Sequence, residues 1–117
     1  MNKKFAAEHP ETVEALLKGH VAAVQWLNDT PAAEKASVIN AALKQDAGKS
    51  LSQDVIDRSL QNIVFTVDPL AGTYKKLLQD GVDAGTTKQA DLNGLFDLRA
   101  LNSVTKNKTS AAGLGQD

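Results

Sequence analysis

Cysteine is absent from this 117-residue chain, so disulfides and thiolate metal sites are excluded and the redox compartment is left open. Aromatic residues make up only 4% of it, with one Trp and one Tyr. A core must therefore be built from Leu, Val, Ile and Ala, the usual material of packed helices. No apolar run is long enough to cross a bilayer. Neither sign of charge dominates, and the net charge of -1 with a pI near 6.1 offers no electrostatic footprint for nucleic acid. The lysines are scattered, with no basic stripe and no interleaved aromatics. Met1-Asn2-Lys3-Lys4-Phe5 begins like the basic part of a signal peptide, but no apolar segment follows. A secreted protein would have to carry its signal upstream. At 12.4 kDa the chain is one domain at most, with a modest core.

What is present reads mainly as helix. The three prolines each follow a capping-type or chain-entry position and mark helix starts. After Pro10, Val13, Leu16, Leu17, His20, Val24 and Leu27 recur at steps of three and four, and Val21 and Trp26 widen that stripe. Thr30-Pro31 opens a second helix whose face is small: Ala32, Ala33, Ala36, Ile39, Ala42 and Leu43. Gln45 to Lys49 reads as a loop. Ser52 is a cap for a third helix, with Leu51 and Ile56 at staple spacing and Val55, Leu60 and Ile63 completing its face. Asp68-Pro69 repeats the cap-plus-proline signal before Leu70, Tyr74, Leu77, Leu78 and Val82. Thr86 to Asn93 is a polar connection. Leu95, Phe96, Leu98, Leu101 and Val104 then form a last short helix with Asp91 as its cap. The expectation is a mainly α fold, about five helices with one short extended or β run, occupying residues 1–104. Residues 105–117, rich in Lys, Asn, Ser, Gly and Ala, are expected to be a flexible tail.

Ile63-Val64-Phe65-Thr66-Val67 is the one β-type run, rich in β-branched and aromatic residues. A lone strand leaves backbone donors and acceptors unpaired on both edges. Either the run is an extended connector, or its pairing partner lies in another chain or another part of a larger protein.

Few residues suggest chemistry. Gly48-Lys49-Ser50 matches the end of a phosphate-binding loop, but Leu43 stands where the earlier glycine belongs and a helix precedes it, so a polar loop is the better reading. His9 and His20, about 16 Å apart if carried on one helix, cannot share a metal. His20 lies on the apolar stripe and is expected in a core or interface; His9 is expected to be exposed. Asp91, Asn93, Gly94 and Asp97 suggest a calcium loop, but Leu95 and Phe96 occupy ligand and turn positions, which leaves turn and capping chemistry. Asp97 and Arg99 are expected to pair with neighbouring elements, a structural role rather than a catalytic one. Asn28-Asp29-Thr30 and Asn107-Lys108-Thr109 match the glycosylation triplet. No nucleophile elbow or paired-histidine zinc motif is present, so no catalytic residue, no metal site and no cofactor is assigned.

Three stretches in order resemble one family. Phe5 to Asn28 (FAAEHPETVEALLKGHVAAVQWLN), Asn62 to Lys75 (NIVFTVDPLAGTYK) and Asp91 to Val104 (DLNGLFDLRALNSV) are similar to the C-terminal segment of the solute-binding proteins of ABC importers for aliphatic sulfonates, nitrate and taurine. The resemblance implies a parent with a two-lobed α/β periplasmic-binding-protein fold, of which this chain is a fragment. It implies a periplasmic or extracytoplasmic parent, a small anionic solute, an ABC permease as partner, and no enzymatic activity. The N-terminal lobes and most cleft-lining loops of such a parent would lie upstream. The matched residues are scaffold, so the ligand-binding residues stay unknown. The alternative is a free-standing helical interaction module, a homo-oligomer held through exposed apolar helix faces.

Overall fold

The computed structural model describes all 117 residues and is mainly helical. Six helices are present: α1 (Lys3–Glu8), α2 (Pro10–Asp29), α3 (Ala32–Ala47), α4 (Gln53–Asn62), α5 (Tyr74–Asp83) and α6 (Arg99–Thr105). Two very short strands, β1 (Phe96–Asp97) and β2 (Gly115–Gln116), complete the elements with a 3-10 turn at Ala71–Thr73. The chain divides into two compact units. One comprises Met1–Val21 with Asp68–Asp117, the other Ala22–Val67.

The unit formed by Ala22–Val67 is built on the α3–α4 pair. Gly48, left-handed at φ 70°, ends α3, a conformation open to a residue without Cβ. Asn40 then ties the returning chain down. Its Nδ2 donates to the Leu51 carbonyl at 2.9 Å and its Oδ1 accepts the Leu51 N–H at 2.8 Å, so one amide satisfies both backbone groups of one residue. Ala36 and Ile56 are the buried residues of this unit. The small Ala36 side chain is consistent with a close approach of helices.

Ile63–Val67 is extended and pairs with no strand within this chain, running as a connector from α4 to the Asp68 turn. Its side chains alternate as extended backbone requires. Phe65 and Val67 are half-buried, whereas Val64 is 87% exposed. The Asn28 amide donates to the Phe65 carbonyl at 3.2 Å, and the Lys35 ammonium sits 5.5 Å from the centre of the Phe65 ring. A cation over the ring face is attracted by its quadrupole.

The other unit differs from expectation at three places. Asp68-Pro69 does not start a helix directly. The Asp68 carboxylate accepts the Leu70 N–H at 2.8 Å, Leu70 is left-handed at φ 53°, and α5 begins only at Tyr74 after the 3-10 turn. A left-handed residue cannot sit inside a right-handed helix, so the Asx turn displaces the helix start. The last helix is likewise shorter than the apolar spacing implies. Phe96 and Asp97, expected inside it, are extended and pair in parallel with Gly115 and Gln116. Finally, the segment 105–117, expected as a flexible tail, carries β2 and two buried residues. Ala111 and Leu114 are buried, with Ala71, Leu98 and Leu101 the other buried residues of this unit. Ala111, Ala112 and Leu114 are too few to show a periodicity, and the strand pairing beside them comes from residues distant along the chain.

Asn102 repeats in this unit the device of Asn40. Its Nδ2 donates to the Thr109 carbonyl and its Oδ1 accepts the Thr109 N–H, both at 2.9 Å. Each such bond contributes about 1 kcal/mol net, and the clamp holds the returning segment in register. Tyr74 and Phe96 meet edge to face, with ring centres 4.9 Å apart at 89°. That geometry matches the quadrupoles of the two rings.

Candidate functional site

The residues singled out by sequence fall in separate local structures. Gly48 caps α3, and Lys49 and Ser50 continue into the exposed loop held by Asn40. The loop therefore follows a helix and serves a chain reversal. His9 is the C-cap of α1 and stands just before α2, its ring 4.8 Å from that of Phe5. His20, expected in a core or an interface, is exposed and so is not part of a core within this chain. No three His, Asp or Glu side chains gather as a metal site would require.

The acidic stretch near residue 91 is turn chemistry, as its spacing implied. Asp91 accepts the Asn93 N–H at 2.9 Å, and Leu95 N–H closes a turn onto the Leu92 carbonyl at 3.1 Å. Asp97 and Arg99 form a two-point ion pair, Nε to Oδ1 at 2.8 Å and a terminal nitrogen to Oδ2. The same carboxylate accepts the Arg99 backbone N–H at the start of α6. These bonds, first of all the side-chain hydrogen bond from Arg99, hold the Asp97 carboxyl below the usual aspartate value and raise the Arg99 guanidinium. Both side chains are more than half exposed, so water and salt screen the pair.

The lowered pKa has a defined consequence. The folded carboxylate binds its proton less tightly than the unfolded chain's, so it adds stability above the ordinary aspartate range. That stability is expected to be lost as the pH falls through the folded value. Urea midpoints followed across the acid range should show a drop that Asp97→Asn removes; parallel profiles for the two proteins would contradict the assignment.

Around α4 there is an open surface depression lined by Val55, Arg58, Ser59, Asn62 and Ile63. Its polar side chains each make one bond back to the helix. Arg58 Nε bonds the Asp54 carbonyl, Ser59 Oγ the Val55 carbonyl and Asn62 Nδ2 the Arg58 carbonyl. Beside the remaining Arg58 guanidinium it presents apolar surface from Val55 and Ile63, each at least 40% exposed. Leu51 and Val64, on the segments flanking α4, are exposed too. α2 shows the same excess. It is 20 residues long with none buried, while Leu16 and Trp26 are exposed at 60% and 38%. No helix is long and apolar enough to cross a membrane.

Three organising residues were not singled out by sequence: Asn40, Asn102 and Gly115. The signal for the first two was weak but present, because asparagine within a helix costs stability unless its amide is engaged elsewhere. Comparison with known protein families, curated proteins and solved structures yields no match.

Proposed function

We propose that the chain is the C-terminal part of an extracytoplasmic solute-binding protein of an ABC importer, whose parent takes a small anion such as an aliphatic sulfonate, taurine or nitrate. The reading rests on the ordered motifs at Phe5–Asn28, Asn62–Lys75 and Asp91–Val104. The structural observation that supports it is α2. A helix with Val13, Leu17, Val21, Val24 and Leu27 on one stripe reaches only partial burial along its whole length. In an amphipathic helix of a complete domain such a stripe faces a core. In the proposed parent the missing lobes supply the cover, and the permease is the partner of the closed, loaded protein. The activity is binding and delivery of solute, without catalysis.

Two measurements test this. Titration calorimetry of the isolated chain with taurine, nitrate and an alkyl sulfonate is expected to give no heat of binding, since the cleft would lie in other parts of the parent. A clear micromolar isotherm would sink the fragment reading. The coding sequence upstream of Met1 is expected to continue in frame through two α/β lobes and a signal peptide; an in-frame stop there would overturn it.

A second reading, a helical interaction module that self-associates, is favoured by the exposed Leu51, Val55, Ile63 and Val64 around α4. Sedimentation equilibrium separates the two. A stable dimer that dissociates on Val64→Asp would favour the module, and a monomer at all concentrations would remove it.

A further inference from the structure

Asn93-Gly94 is the only Asn-Gly pair among the chain's asparagines, and the turn that carries it leaves every reacting group free. We propose that Asn93 is a site of spontaneous deamidation and isoaspartate formation, reacting through a succinimide formed with the Gly94 backbone nitrogen.

The geometry supports each step. Asn93 and Gly94 are exposed and lie in the turn closed by Leu95 N–H onto the Leu92 carbonyl. Gly94 is left-handed at φ 70°, the conformation that a type II turn requires at this position. The Asn93 backbone N–H is held by Asp91, whereas the Asn93 side-chain amide makes no hydrogen bond. The Gly94 N–H makes no backbone hydrogen bond. Without a Cβ on residue 94, nothing on that residue obstructs approach of the side-chain carbon to its nitrogen.

The chemistry balances with water and hydroxide alone. Hydroxide removes the Gly94 peptide proton, and the nitrogen attacks Cγ of Asn93. The new Cγ–N bond closes a five-membered ring as the Cγ–Nδ2 bond breaks and ammonia leaves. Water then adds to either ring carbonyl. Breaking the Cγ–N bond restores the main chain with aspartate; breaking the bond to the main-chain carbonyl carbon leaves isoaspartate. Two charged groups face the site. The Lys3 ammonium lies 3.7 Å from where a Cβ on Gly94 would stand and favours the peptide anion, while the Asp91 carboxylate opposes it. Isoaspartate would add a methylene to the backbone just ahead of β1.

The other asparagines are held or helical. Asn28, Asn40, Asn62 and Asn102 sit in helices with their amides donated to carbonyls, and Asn2 caps α1. Asn107, exposed and outside helix, also has an unbonded side chain, but Lys108 follows it. It is the internal comparison.

The test is to incubate the full chain at mildly alkaline pH and quantify conversion at each asparagine by peptide mapping, with isoaspartyl methyltransferase labelling to separate the products. Asn93 is expected to convert on the order of ten times faster than Asn107, because a following glycine leaves the nitrogen unhindered. Its rate should rise with hydroxide, with isoaspartate the larger product. Asn93→Gln, which keeps the amide and leaves the Gly94 turn in place, should remove most of the acidic drift on isoelectric focusing. Conversion of Asn93 no faster than Asn107, or a rate unchanged by pH, would overturn the proposal.

Discussion

Gly115→Ala is expected to detach the C-terminal segment from its unit. A Cβ at position 115 would stand 2.6 Å from the Phe96 carbonyl carbon, closer still to the carbonyl oxygen, and 3.0 Å from the Phe96 Cα. These are backbone atoms of the paired strand, so no side-chain rotation relieves the clash. The β1–β2 pair must separate, and with it go the bonds from Phe96 N–H to the Leu114 carbonyl and from Leu98 N–H to the Gln116 carbonyl. Leu114, only 2% exposed, and Ala111, fully covered, lose their places beside them. Overpacking of this kind costs about 3 kcal/mol when backbone has to move. Urea denaturation followed by circular dichroism should show the loss, and limited proteolysis should begin cutting within residues 106–117. The near-ultraviolet signal of Tyr74 should weaken as Phe96 shifts from its ring. A variant with an unchanged midpoint and an intact C-terminal segment would show that the strand pair does not hold it.

Ile56→Ala is expected to be the most damaging truncation in the unit formed by Ala22–Val67. Ile56 is 3% exposed and, with Ala36, is all that this unit buries completely enough to count as core. Removing three carbons from such a site costs about 3 kcal/mol, the transfer term plus the cavity left behind. Trp26 belongs to the same unit and is the chain's single tryptophan, so its emission reports the unfolding. The control is Val55→Ala on the same helix. Val55 is 40% exposed, and its truncation should stay within about 0.5 kcal/mol, as surface changes do. Equal losses from both variants would mean that Ile56 is not the packing centre.

The contrast between these neighbours explains which parts of the fold could be read in advance. Ile56 and Val55 look alike in sequence, since both lie on the apolar arc of α4. Only the position of α3 decides which one is covered. Likewise Pro10 and the three-and-four spacing after it announced α2 correctly to the residue at its start. The degree to which its stripe is covered depends on contacts that no local pattern encodes. The candidate site residues divide in the same manner. The turn role of Asp91 is local, reaching two residues, and was legible; Asp97 and Arg99, expected to pair with neighbouring elements, bond each other instead. Asn40 and Asn102 reach 11 and 7 residues along the chain, and nothing nearby identifies their partners.

Sequence by itself determined the mainly helical class, the absence of disulfide and thiolate metal chemistry, the start of α2 and the extended character of Ile63–Val67. Each follows from periodicity, capping, β-branching or composition, which act within a few residues. Tertiary structure alone decided that Phe96 and Asp97 leave the helical pattern, that Gly115 and Gln116 return as β2, and that the buried residues fall in two units. Those outcomes depend on pairing β1 with a strand beyond α6 and on the clearance that Gly115 leaves at Phe96. Contacts so far apart in the chain carry no local signature, because their energy exists only once the backbone has returned.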